Sequence, residues 1–201
     1  ACFSFYATKN ITSGEGGAIS TNDSEKAELL SMLRLHGIDR SAADRYTKRY
    51  QHWDMPVLGW KYNMDNIQAS ILIGQLNRID KLLERREEIS IRYENTFNNI
   101  KGINLIKTRI NSRHARHLFT IRVPEAKRDH MLVSLQGMGI GVAVNYRPIH
   151  LLKYYREQFG FKQGDFPVAE KIGAETISLP LYPLLRDEEI DYVIDSVIKE
   201  L

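Results

Sequence analysis

The chain is predicted to be a mixed α/β protein, on three observations. Its first 21 residues read as two short apolar β-favouring runs around a glycine-rich turn. Long apolar stripes at helical spacing run through residues 65–99 and 187–201. From residue 103 onward, short apolar runs alternate with helical periods. In the first run, Cys2, Phe3, Phe5 and Tyr6 lead into Lys9. A cluster of Asn10, Thr12, Ser13, Gly14, Gly16 and Gly17 follows, and then a second apolar run. The expectation is strand, lysine loop, strand, with both strands buried.

Asn22 with Glu25 three residues on is a capping-box pattern, opening a helix with Ala27, Leu30 and Leu33 inward and an end near His36-Gly37. Residues 38–62 lack sustained periodicity and are rich in Arg40, Arg45, Tyr46, Lys48, Arg49, Tyr50, Trp53 and Trp60. Basic and aromatic side chains together suit an anionic ligand with a flat ring, such as a nucleotide diphosphate; a solvated loop with a few aromatic anchors fits equally well. Asp65 with Gln68 caps the next helix, whose stripe is Ala69, Leu72, Ile73, Leu76, Ile79 and Leu83. Ile67 and Ile71 widen it, so burial on more than one side is expected. From Asp80 to Asn99 the helix becomes densely charged with both signs, the pattern of a solvated face. Lys101-Gly102 ends it and marks the expected division into residues 1–100 and 101–201.

Beyond that point Ile103 to Ile106 and Leu118 to Val123 are predicted strands, and Met131, Leu132, Leu135 and Met138 share a helical face. Gly137 and Gly139 bracket the end of that helix, and Ile140 to Val144 is a further predicted strand. Asn145-Tyr146-Arg147-Pro148-Ile149-His150 then lies at a strand exit, where α/β proteins commonly bind ligands, ahead of an aromatic helix with Tyr154, Tyr155 and Phe159. Asp187 opens a last helix with Ile190, Val193, Ile194, Val197, Ile198 and Leu201 in register.

With 28 Lys+Arg against 25 Asp+Glu in 201 residues the net charge is only +3. That argues against a basic nucleic-acid module built on residues 40–53. A single cysteine, Cys2, excludes an internal disulfide framework, fits a reducing cytoplasm, and is expected as a buried inert thiol. No apolar stretch spans a bilayer and no signal peptide is visible, so a soluble cytoplasmic protein is expected. His114 and His117, read as strand residues, would face opposite sides, and no metal site is expected. The chain opens on Ala1 and enters an apolar run at once, as the C-terminal part of a longer protein would.

Lys9 is the candidate reactive group. An ammonium held between two buried strands loses hydration, which disfavours its charged form and makes the amine a nucleophile towards carbonyls. The glycines allow close approach of something flat or bulky. On residue types alone, a simply solvated lysine beside a glycine hairpin fits the same pattern.

The arrangement Ser4-Phe5-x-x-x-Lys9-x-x-Thr12-x-Gly14-Glu15-Gly16-Gly17-Ala18 resembles the lysine segment of the DegT/DnrJ/EryC1/StrS sugar aminotransferases, which use pyridoxal 5'-phosphate (PLP). The resemblance extends to Gly59-x-x-Tyr62-Asn63, to Tyr146 through His150 and to His117-Leu118-Phe119. It implies the C-terminal part of an aspartate-aminotransferase-like, fold type I enzyme: the end of the large PLP-binding domain, then a small α/β domain. It further implies that Lys9 carries the cofactor as a Schiff base, that Ser4 contacts its phosphate, and that Asn63 reaches the same phosphate in the neighbouring subunit of a homodimer with shared sites. Taken alone, Asn63 serves equally to begin a helix. Tyr146, His150 and His117 are the implied substrate contacts, though judged alone each histidine suits a structural role. The implied reaction moves an amino group from an amino acid, glutamate by resemblance, to a keto-sugar nucleotide for surface polysaccharide or glycan synthesis. Retention of a lysine where some relatives carry histidine favours amino transfer over dehydration. A PLP-binding sensor without turnover is the alternative.

Overall fold

The structure is a computed structural model that describes residues 1–39 and 52–201. It divides into two compact units, residues 1–79 and 80–201.

In the first unit, β1 (Cys2–Ser4) pairs antiparallel with β2 (Gly17–Ile19), with Cys2 opposite Ile19 and Ser4 opposite Gly17. Glycine is required at 17, because a Cβ there would lie 2.6 Å from the Phe3 carbonyl oxygen. The hairpin is as expected, but its burial is not. Phe3 is 53% and Ile19 57% exposed, and Cys2 is an exposed thiol rather than a buried one. A two-stranded ribbon cannot cover its own faces. The described residues of this unit leave an open groove of about 1040 Å³ lined by Phe3, Ile19, Leu30, Trp60 and Tyr62.

Helix α1 (Ser24–Leu33) starts one residue later than predicted. Asp23, not Asn22, is the cap, its carboxylate accepting from the Lys26 N–H at 3.0 Å. Leu30 and Leu33 are half-buried and Ala27 is exposed. The chain returns to pair with the end of α1: Trp60 N–H donates to the Leu33 carbonyl, Tyr62 N–H to that of Arg34, and His36 N–H to that of Trp60. At Gly37 (φ +78°) a Cβ would meet the Val57 oxygen at 1.7 Å, so only glycine permits this approach.

Helix α2 (Asn66–Leu76) is capped as predicted, Asp65 accepting from the Gln68 N–H at 2.8 Å. Its apolar stripe is not buried on several sides: only Leu72 is buried, while Ile67, Ile71, Ile73 and Leu76 are all more than half exposed. It also stops at Asn77 instead of running on through Leu83, and α3 (Ile79–Phe97) begins afresh.

The second unit has one core. A three-stranded antiparallel sheet, ordered β3 (Asn104–Leu105), β4 (Phe119–Arg122), β5 (Thr176–Leu179), pairs Ile121 with Leu105 on one side and with Ile177 on the other. Ile89, Tyr93 and Phe97 of α3 join this core, with Met131 and Leu135 of α4 (Glu125–Gly137) and Ile190, Val193 and Val197 of α7 (Asp187–Glu200). With α3 packed into this core, the compact units part near residue 79. Residues 140–144, read as a strand, make a single bridge, Ala143 to Ser178. Two short helices, α5 (Lys153–Phe159) and α6 (Pro167–Glu175), complete the unit. Among the described residues no helix is long and apolar enough to cross a membrane.

Candidate functional site

The turn that carries Lys9 is built by its backbone. Lys9 N–H donates to the Tyr6 carbonyl (2.9 Å), Phe5 N–H to that of Gly16 (2.8 Å), and Ser13 N–H to that of Phe5 (3.0 Å). Thr12 Oγ1 donates to the same Phe5 oxygen and accepts from Gly14 N–H, and buried Ser13 donates to the Glu15 carbonyl. Gln75 of α2 clasps the turn from outside, accepting from Thr12 N–H at 3.0 Å and donating to the Thr12 carbonyl at 2.7 Å. Lys9 thus leaves a fixed turn, half-buried, between two exposed strands instead of the buried pair expected. Ser4 is exposed, its hydroxyl 3.4 Å from the Tyr6 N–H.

Asn63 is half-buried just before α2. Its neighbour Met64 packs on the hairpin, since a Cβ on Gly16 would lie 2.3 Å from Met64 Cε. Lys61 donates its ammonium to Asn63 Oδ1, which leaves the Asn63 amide N–H groups beside a positive charge. Trp60 and Tyr62 stack with centroids 6.0 Å apart. Ser4, Lys9 and Asn63 therefore all lie in the first unit. Of the basic and aromatic stretch, Arg40, Arg45, Tyr46, Lys48, Arg49 and Tyr50 lie outside the described residues.

Tyr146, His150 and His117 lie in the second unit. Tyr146 is 67% exposed, whereas His150 is 7% exposed. His150 Nε2 lies 2.9 Å from Glu170 Oε1, with the rings of Phe166 and Phe161 set edgewise against it. Glu170 also accepts from Gly164 and Phe166 N–H groups. The His150 bond first, and these backbone N–H groups after it, hold its carboxyl below the usual range. His117 is half-buried two residues before β4. His114 accepts the Arg116 N–H at its Nδ1, and both histidines stand in irregular chain, so the alternation argued for them on a strand does not apply. Among the described residues no group of three or more His, Cys, Asp or Glu side chains is placed to hold a metal ion.

The family model of the DegT/DnrJ/EryC1/StrS aminotransferase family matches residues 1–198. The chain belongs to this family. It is 40% identical to the spore coat polysaccharide biosynthesis protein SpsC of Bacillus subtilis (strain 168), over 97% of this chain and 52% of that one. The Helicobacter pylori aminotransferase PseC, involved in pseudaminic acid biosynthesis, superposes with a TM-score of 0.88 at 28% identity, over 99% of this chain and 52% of PseC. Streptococcus pneumoniae Spr1654 in its PLP form gives 0.86 at 32% identity, over 99% and 50%. The chain spans about half the length of the curated relatives it matches.

Membership in the DegT/DnrJ/EryC1/StrS family and the PLP form of that neighbour imply pyridoxal phosphate. The residues of the first unit fit such a group. Lys9 offers an amine for an aldehyde. Ser4 offers a hydroxyl, and the Lys61 ammonium beside the Asn63 amide separately offers charge and N–H donors, all chemistries that suit a phosphate. Lys61 was not singled out from the sequence, although its place two residues before Asn63 was a usable signal. Glu170 was missed as well, because it stands twenty residues from the histidine it meets.

Proposed function

We propose that this chain belongs to a cytoplasmic, homodimeric PLP-dependent aminotransferase. It would move an amino group from glutamate to a keto-sugar nucleotide, supplying amino sugars for a surface polysaccharide or glycan. The observation that carries the reading is the Lys9 turn, a primary amine held by a backbone network within the family's lysine motif. Bound PLP would supply an electron sink for negative charge at the donor's α-carbon. Lys9 Nζ would hold the cofactor through its aldehyde and would carry the donor's α-proton as general base and acid. Ser4 and the partner copy's Asn63 hold the phosphate. Tyr146, His150 and His117 contact the sugar nucleotide, so the first unit carries the cofactor and the second contributes to substrate recognition. Borohydride treatment of the intact protein followed by peptide mapping is expected to leave a pyridoxyl group on Lys9 and on no other lysine. An unmodified Lys9 peptide would refute the proposal.

The homodimer is supported by α2. From Asn66 to Leu76 it carries no charged side chain, yet Ile67 is 78%, Ile71 51% and Ile73 62% exposed. Ile67 and Ile71 stand one turn apart on one side of this uncharged helix, and an exposed apolar pair there suits an association surface. Asn63 directly precedes it, so burying α2 against a second copy brings that amide to the shared boundary. Ile71→Glu is expected to raise the dimer dissociation constant at least about a hundredfold by placing an unpaired carboxylate in the contact. Sedimentation velocity across a dilution series would read this directly; a dimer of unchanged affinity would remove α2 from the interface.

A further inference from the structure

Glu170 and Gly173 stand three residues apart on α6, a spacing that puts them on one helix face. Both meet the segment that carries Tyr146 and His150. A Cβ on Gly173 would lie 2.6 Å from Pro148 Cδ, 2.9 Å from Pro148 Cγ and 3.3 Å from the Tyr146 carbonyl oxygen, so the proline ring rests directly on the helix backbone. Glu170 Oε1 lies 2.9 Å from His150 Nε2. The same carboxylate accepts the Gly164 N–H at 2.8 Å and the Phe166 N–H at 3.3 Å, which ties the loop between α5 and α6 to the histidine. The rings of Phe161 and Phe166 close around the imidazole edgewise.

An ionised carboxylate only accepts hydrogen bonds, so the proton in the Glu170–His150 contact belongs to Nε2. A ring that carries its one proton on Nε2 presents Nδ1 as an acceptor. A sugar ring hydroxyl is a donor that matches it.

We infer that Glu170 is a positioning residue. With Gly173 it seats residues 145–151 on α6 and holds His150 in its Nε2–H tautomer, so that Nδ1 accepts a hydrogen bond from a hydroxyl of the sugar substrate. The inference rests on the proposed function for its substrate, and on the geometry above for the tautomer. Metal ligands do this through their second nitrogen, and the logic is the same for a histidine that meets an organic substrate: the group on one nitrogen decides what the other can do.

The test uses the intact protein and two readings. Nitrogen-15 NMR of labelled histidine at mildly alkaline pH should show His150 neutral with its proton on Nε2. Glu170→Ala should lose that preference, and Glu170→Gln should keep it, because the amide oxygen can accept the same bond. In turnover, Glu170→Ala is expected to raise KM for the keto-sugar nucleotide roughly tenfold, the size of one hydrogen bond. The half-reaction with glutamate alone, followed by the visible absorbance of the cofactor, should stay within about twofold. Gly173→Ala should give the same split by displacing Pro148, and Glu170→Gln should restore most of KM.

A doubly protonated ring or an Nδ1–H tautomer in the wild type overturns the inference. So does a Glu170→Ala variant that slows both half-reactions equally, which is the mark of a merely structural residue. If the wild-type protein forms no adduct at Lys9, the proposed function fails by itself. The tautomer in the substrate-free protein still decides whether Glu170 governs His150.

Discussion

Replacing Lys9 by alanine is expected to lower amino transfer by roughly three orders of magnitude, within the range of general acid–base catalysis. The loss should be confined to chemistry. The turn keeps its shape through the Phe5, Tyr6 and Gly16 backbone and through Thr12, Ser13 and Gln75, none of which depends on the lysine side chain beyond Cβ. Thermal unfolding should shift by about 1 kcal/mol or less, as for a typical single substitution outside the core. A small primary amine added to the alanine variant should restore part of the turnover, since a free amine can take the α-proton that Lys9 Nζ would carry. Turnover of the alanine variant within about tenfold of wild type would leave Lys9 without a catalytic role.

Local pattern revealed the elements whose partners are near in sequence or whose faces differ sharply. The last helix was legible because Ile190, Val193, Ile194 and Val197 fall on one side and Glu188, Asp191, Asp195 and Lys199 do not. The lysine hairpin was legible from its glycines, and Gly17 is needed where β1 passes. The strand Thr176–Leu179 was missed for the opposite reason: all four residues are buried, so no alternation marks it. Periodicity in α2 identified an apolar surface but could not say what covers it, and the structure leaves that surface open. Of the residues proposed for the site, Ser4, Lys9 and Asn63 stand in short local motifs. Glu170 does not, because its meaning depends on a contact across α5 and the loop that follows it.

The dense charge on α3 read as a solvated face, and this is where tertiary structure most changes its meaning. Glu87 and Glu94 stand two turns apart on one side of the helix and enclose Arg116, which is 7% exposed. Glu87 takes Nε at 2.6 Å and one terminal nitrogen at 2.9 Å, and Glu94 takes the other at 2.7 Å. Arg86, itself buried, donates to the carbonyls of Arg116 and Leu181. Residue 116 is thus gripped by side chain and main chain from a single helix, which is how it tolerates a left-handed φ of 47° without being glycine. Removing the two carboxylates while keeping the guanidinium should cost more than removing the guanidinium. Glu87→Gln/Glu94→Gln leaves a buried charge poorly compensated. About 2 kcal/mol is expected, below the figure for a fully enclosed pair because Glu87 is partly solvated, with a fall in Tm of about 4–8 °C. Arg116→Met leaves two carboxylates that can rehydrate and should cost about 1 kcal/mol or less. The pH dependence separates the variants further. The Arg116 hydrogen bond holds the Glu87 carboxyl below its ordinary 4.5. Its contribution is therefore present above that value and lost as pH falls through the lower folded-state value. Wild type should lose stability over that acidic window, and Arg116→Met should lose less, because Glu170 and Asp187 keep their own lowered carboxyls in both proteins. Denaturant unfolding of the three proteins at neutral and acidic pH reads both effects. A methionine variant less stable than the double glutamine variant would show that Arg116 acts through packing rather than charge.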